Sequence, residues 1–310
     1  MSWRCEKPRG WGRLGMNKLA GGPSTQDDSW TRLKKFSKTP KGYALGALVL
    51  LTLVAGLTPA GHPGVPHAVE AVAIAVALDW LVARVLGRRT TFSTGGVITG
   101  LIVADVLSAL TPAYVVVLTT AIALLSKHLL KRGRKPIFNP AAVGLLVSLG
   151  IFSSAQSWWA GMPLMSWWHV LLLLVVGSIV AARLHKYTQV LVFLGTYLVL
   201  ILLMAVYHLG LPSATPADAL RTPFINAALF LGFFMLTDPP TTPATLKGQV
   251  QFAIIVAAVA VFIFSQAGGL AYLLVAILVG NLWTVWLAGS KKRARQPAAE
   301  SQKRVFGQIG

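Results

Sequence analysis

Residues 190–207 read VLVFLGTYLVLILLMAVY, an apolar run without a single charge. A helix that crosses a bilayer needs about 20 predominantly apolar residues, so this stretch alone predicts a transmembrane helix. The chain enters it through Arg183, His185 and Lys186 and leaves it at His208.

Working outward, nine further apolar segments appear, at about Tyr43–Leu57, Ala68–Leu86, Gly95–Leu110, Pro112–Leu130, Pro140–Phe152, Trp168–Arg183, Pro223–Leu236, Val250–Phe264 and Leu270–Leu287. The 310 residues are 55% hydrophobic and 12% charged, with a mean hydropathy of +0.66. Soluble domains carry about 25% charged residues. The expected fold is therefore an all-α integral membrane protein of about ten transmembrane helices. The third, fifth and eighth segments are short and predict tilted or broken helices. Five segments followed by five predict an inverted repeat, because an odd-numbered unit enters its second copy from the other side.

Orientation follows from the basic residues. With the N-terminus inside, all of the 28 Lys and Arg except Arg221 fall on the inner side, the bias that cytoplasmic loops carry. The expected organisation is a cytoplasmic basic tail over 1–42, disordered, a membrane domain over 43–289, and a second cytoplasmic basic tail over 290–310. No apolar stretch with a small-residue cleavage site follows Met1, so no cleaved signal peptide is expected, and Met16 is an alternative start. Arg88 and Arg89 read as a solvated loop. Trp158, Trp159, Trp167 and Trp168 flank an outer loop and are expected to anchor it at the headgroup level. The net charge of +19 is scattered between apolar runs, so the partner it implies is the lipid bilayer and not nucleic acid. The lone Cys5 excludes an intrachain disulfide or a Cys-built metal centre. No two of His62, His67, His128, His169, His185 and His208 have the i, i+4 spacing of a helix-borne metal pair, and no metal site is expected.

Two stretches carry the specificity. Lys135-Pro136-Ile137-Phe138-Asn139-Pro140-Ala141-Ala142 leads into the fifth segment, where Asn139 suits an N-cap and Pro140 the first helical position. Gly232-Phe233-Phe234-Met235-Leu236-Thr237-Asp238-Pro239-Pro240-Thr241-Thr242-Pro243 closes the eighth, where Pro239 disfavours helix at Asp238. Backbone exposed there must be satisfied by protein, water or ligand. By themselves these residues read as well for a plain helix start and a plain rigid turn as for a binding site.

Together, in this order and separation, the two stretches resemble the NqrB/RnfD family of membrane subunits of redox-driven ion pumps, over about Asp79 to Asn281. The resemblance implies a subunit that passes electrons through flavin (FMN or riboflavin), possesses other membrane or flavoprotein subunits as partners, and works with quinone, in a bacterial inner membrane. Such a subunit is expected to act within an ion-translocating oxidoreductase complex, coupled to Na+ or H+, and not as an enzyme alone. Full-length relatives esterify a threonine of the outer loop after the fifth helix to FMN. The corresponding loop here, Ser153 to Met165, has no threonine, and Thr215 lies in a later outer loop without an upstream aspartate. Any flavin is therefore expected to be noncovalent. The expected cofactor or quinone site takes Phe138, Phe233 and Phe234 as walls and Asn139, Thr237, Asp238, Thr241 and Thr242 as polar rim, with Asp238 orienting donors and not binding phosphate.

Ionisable groups inside spans are costly and mark ion pathways. Glu70, Asp79 and Asp105 qualify, with a pairing of Asp79 to Arg84 as the structural alternative. Two other function classes fit the residues: a secondary transporter with inverted repeats, and a cofactor-free assembly subunit.

Overall fold

The computed structural model describes residues 31, 34–87, 93–133, 135–159, 167–209, 221–269 and 271–306, and of 222–223 and 290–306 the backbone only. Ten helices lie among them: α1 Pro40–Gly56, α2 Val65–Val85, α3 Thr94–Val106, α4 Ala113–Leu129, α5 Pro140–Phe152, α6 Trp167–Arg183, α7 Tyr187–Val206, α8 Thr222–Phe230, α9 Leu246–Ala267 and α10 Ala271–Phe306. A π-helical turn, Leu231–Met235, extends α8. The only sheet among the described residues is a two-residue hairpin pairing Lys131 with Pro136 and Arg132 with Lys135. The protein is an all-α membrane protein.

The helices start where local chemistry dictates. Thr39, Ser93, Asn139 and Thr245 cap α1, α3, α5 and α9, each side chain accepting from the backbone N–H three residues on, and Pro40 and Pro140 occupy first helical positions, where a missing N–H costs nothing. Helix α1 thus begins three residues before the apolar run, and α10 continues through the C-terminal basic stretch to Phe306. Most of the N-terminal tail lies outside the described residues.

Three helices, Tyr187–Val206, Leu246–Ala267 and Ala271–Gly289, are long and apolar enough to cross a membrane singly. Helices α3 and α5 have 13 residues each, about 20 Å at 1.5 Å per residue. Both are shorter than a single crossing needs. The segment after α5 turns back over the end of α3: Ser157 N donates to Val106 O at 2.8 Å, Ser108 N to Ala155 O at 3.0 Å, and Trp159 N to Asp105 O. Backbone groups at membrane depth are thereby paired within the protein.

This corrects the expected role of two tryptophans. Trp158 and Trp159 are fully buried, at φ +45° and +81°, and the Trp159 indole donates to Leu51 O of α1. They close the end of α3. Trp167 and Trp168, at the start of α6, are exposed.

The two halves repeat one packing scheme. In the first, α2 packs on α3 and α4, α1 on α3, and α4 on α5; in the second, α7 packs on the π turn and α9, α6 on α8, and α9 on α10. Across the halves α1 meets α6 and α5 meets α10, the self-pairings that a two-fold axis between five-helix units requires. The closest approaches match as well. A β-carbon added at Gly144 of α5 would fall 2.6 Å from Thr119 O of α4, and one at Gly280 of α10 would fall 2.5 Å from Val256 Cγ2 of α9. Only glycine lets either pair of helices come so near.

Candidate functional site

The first turns of α1, α3 and α5 and the last turns of α4, α6 and the π-extended α8 come together on one face, with Lys41, Lys127 and Lys135 among them and Lys186 close to Asp238. On this basic face the chain leaves α8, and the carbonyls it would otherwise orphan are taken up by side chains from four other elements. Asn139 Nδ2 donates to Met235 O at 3.3 Å, Gln189 Nε2 to Leu236 O at 2.7 Å, Asn281 Nδ2 to Thr241 O at 3.1 Å and Gln249 Nε2 to Ala244 O at 3.3 Å. Lys186 Nζ donates to Pro243 O. Within the loop, Thr237 Oγ1 donates to Phe233 O at 2.6 Å, Thr241 Oγ1 to Asp238 Oδ2 at 3.0 Å and Thr242 Oγ1 to Asp238 O at 2.8 Å. Asn139 is engaged through its backbone as well: its N–H donates to Asn281 Oδ1 at 2.9 Å, and its Oδ1 accepts from Ala142 N at 3.2 Å.

Beside this clasp lies a cavity of about 620 Å³, within the range of small-molecule sites. Its apolar wall is Leu48, Ile98, Ile102, Val180, Leu184 and Phe234, and its polar lining includes Lys41, Lys127, Lys135, Asn139, Thr237 and Asp238. Both sequence stretches therefore contribute to one cavity. Phe138, Phe233, Thr241 and Thr242 do not line it: Phe233 packs against Gly177 of α6, Phe138 is half-buried beside the hairpin, and the two threonines brace Asp238 from behind. Of the expected rim, Asp238 keeps carboxylate capacity free. Burial pushes its carboxyl up to about 6, opposed by the Thr241 hydrogen bond and by Lys41, Lys127 and Lys186. Burial likewise lowers Lys186 to about 8, against the attraction of Asp238.

Asp79 sits next to the cavity and not with Arg84, whose guanidinium instead lies over the Trp80 ring. Lys127 Nζ is 2.7 Å from Asp79 Oδ2, His128 Nε2 is 2.7 Å from Oδ1, and the Ser93 hydroxyl donates to Oδ2. Since Ser93 also caps α3 and Lys127 lines the cavity, Asp79 holds a basic side chain and a helix N-terminus in fixed positions. Asp105 is far from this cluster, fully buried at the other end of α3, with Thr52 Oγ1 2.9 Å from its Oδ1. Glu70 is partly buried, and its Oε2 has no partner among the described residues.

A sequence model of the NQR2, RnfD, RnfE family matches residues 34–166 and 154–293, which together cover α1 to α9 and α10 as far as residue 293. The chain belongs to this family. Membership makes it a membrane subunit of an Nqr- or Rnf-type complex. No curated protein matches the sequence. The two stretches carry the family resemblance, whereas Asn281, Gln189, Gln249 and Lys186, which secure them, lie outside both. Their signal was present as uncharged amides and a lysine inside or beside apolar runs, where a polar group needs a protein partner.

Proposed function

We propose that this family member holds a flavin, FMN or riboflavin, noncovalently in the cavity of the basic face and serves electron transfer in a multi-subunit complex, with that face and both termini in the cytoplasm of a bacterium. The observation that carries this reading is the meeting of Asn139, Phe234, Thr237 and Asp238, from stretches about 100 residues apart, on a single cavity of about 620 Å³. The lining suits the group: an isoalloxazine needs flat apolar walls with few polar contacts, and Phe234 with the aliphatic side chains of α1, α3 and α6 supplies them. When bound, a flavin supplies one- and two-electron transfer. Lys41 and Lys135 stand at the cavity mouth and attract an anionic ligand or partner, while Asp238 accepts a hydrogen bond from a ligand N–H or hydroxyl. Asn139 chiefly positions, because its Nδ2 and Oδ1 already hold Met235 O and Ala142 N, leaving one amide hydrogen for a ligand. Quinone and flavoprotein subunits are the partners this reading expects, and ion coupling is assigned to the buried acids.

The test is the absorption spectrum of the detergent-purified protein before and after dithionite, with riboflavin and FMN titrated onto any colourless fraction. Flavin bleached by reductant, and lost in Phe234→Ala and in Ile98→Trp, is expected. A colourless protein with no affinity for either compound overturns the reading.

A further inference from the structure

Asp105 ends α3 with 1% of its surface exposed. Its hydrogen-bond partner is Thr52 Oγ1 of α1, and its Oδ2 has none among the described residues. Helix α3 packs against α1, α2, α4 and α5, and the 153–159 segment covers its end. Among the described residues, the titratable groups at that end of α1, α2, α4 and α6 are His62 of the turn before α2, His67 and Glu70 of α2, Tyr114 of α4 and His169 of α6, the last edge-on to Trp159 at 6.3 Å. None makes a hydrogen bond or ion pair with Asp105. Lys41, Arg84, Lys127, His128 and Asp79 belong to the basic face, about 16 Å away along α3.

Counting hydrogens assigns the state of this carboxyl. Thr52 Oγ1 lies 2.9 Å from Leu48 O and 2.9 Å from Asp105 Oδ1, yet a hydroxyl owns one hydrogen. If Thr52 donates to Leu48 O, as helix threonines do to the carbonyl four residues back, the second contact needs a hydrogen from Asp105. A carboxylic acid satisfies all three oxygens in one chain, from Asp105 Oδ1–H to Thr52 Oγ1–H to Leu48 O. A carboxylate leaves two acceptors competing for one hydrogen and an unpaired charge in an apolar interior.

We propose that Asp105 is a proton-binding site, a carboxylic acid at neutral pH, that exchanges its proton with the face opposite the cavity. The exchange breaks and re-forms one O–H bond on the carboxyl, releasing or taking up H+ and changing nothing else. The covering segments carry Gln156, which bridges to Leu107, and Thr111; Gln156 Nε2 and Thr111 Oγ1 are buried polar atoms without a partner among the described residues, and they mark the route outward. The proposal deepens the ion-coupling reading by naming H+ as the ion, but protonation of Asp105 stands without any electron transfer.

The experiment is infrared difference spectroscopy of the purified full chain in lipid nanodiscs, wild type minus Asp105→Asn, with circular dichroism confirming equal fold. The expected result is a protonated-carboxyl band at neutral pH, lost in Asp105→Asn, shifted in Thr52→Val, displaced but present in Asp105→Glu, and unchanged when NaCl replaces KCl. Absence of the band overturns the proposal, and so does its loss on adding sodium, which would mark a sodium site. If Asp105→Asn fails to fold, the Thr52→Val shift decides alone: an unshifted spectrum overturns the proposal. A band present in a protein that binds no flavin sinks the redox reading and leaves the proton site standing.

Discussion

The Asn139 backbone N–H donates to Asn281 Oδ1 at 2.9 Å, and Asn281 Nδ2 passes the connection on to Thr241 O at 3.1 Å. One amide in the middle of α10 thus ties the start of α5 to the turn after α8. These two places come from opposite halves of the two-fold bundle, and among the described residues neither Asn139 N nor Thr241 O has another hydrogen-bond partner.

Asn281→Leu is accordingly expected to be costly. It orphans one buried N–H and one buried carbonyl, each worth about 1–3 kcal/mol when left unpaired. A thermal melt followed by intrinsic fluorescence should show a clearly lowered midpoint, with Asn281→Asp falling between because it keeps the acceptor and loses the donor. A Leu variant as stable as wild type would show that the clasp contributes nothing.

The two-fold relation predicts matched damage. Gly144→Val and Gly280→Val each force a β-carbon into a neighbouring helix, so overpacking should cost each about 1–3 kcal/mol. Gly46→Val, where nothing lies within 4 Å of the added carbon, should be nearly neutral. The comparison of yield and melting midpoint among the three checks the scheme.

Topology is open to direct chemistry once Cys5 is replaced by Ser. A single cysteine at exposed Ala155 or Leu209 should react with an impermeant maleimide in intact cells, and one at exposed Pro240 should not. The reverse pattern would invert the bundle.

Covalent flavin has its own readout. Denaturing gels of the chain, coexpressed with a flavin transferase, should show no fluorescent band, because the loop from Ser153 to Met165 offers no threonine. Thr215 lies outside the described residues, and a fluorescent band abolished by Thr215→Ala would refute the expectation.

How far the sequence reaches is visible in these same residues. Apolar runs mark each helix, since lipid admits no charge, and Ser93, Asn139 and Pro140 mark helix starts because capping is local chemistry. Contacts across the bundle are not local. Nothing near Asp79 in sequence announces Lys127 and His128, some 48 residues on, whereas Arg84 one turn away looks like the natural partner. Trp158 and Trp159 have the composition of an interfacial belt, but α3 is too short to cross, and its open end draws both indoles inward. Whether a polar residue of a motif faces a ligand or braces a turn likewise depends on carbonyls contributed by distant segments, and so Asn139 and Asn281 could not be sorted without the fold.

The clasp also carries a pH signature. Burial raises Asp238 from an ordinary 3.8 to about 6, so the folded state binds its proton more tightly than the unfolded chain. That stabilisation is complete below the unfolded value and is lost as pH rises through about 6. Lys186 has the opposite displacement, from 10.5 down to about 8, so folding carries its penalty below about 8. Between about 6 and 8 both groups are charged, and their mutual attraction, with the Thr241 hydrogen bond and the pull of Lys41 and Lys127 on Asp238, offsets the burial only in part. The melting midpoint of wild type should therefore fall between pH 5 and about 7, while Asp238→Asn, neutral throughout, should be flat across that window and melt higher than wild type at pH 7. Flavin affinity, if Asp238 accepts a ligand hydrogen bond, should rise over the same interval in wild type and lose this dependence in the Asn variant. A wild-type midpoint that climbs from pH 5 to 7 would mean that the Asp238 carboxylate is held by Lys186 and its other basic neighbours strongly enough to outweigh burial, and would remove it as the free acceptor of the cavity.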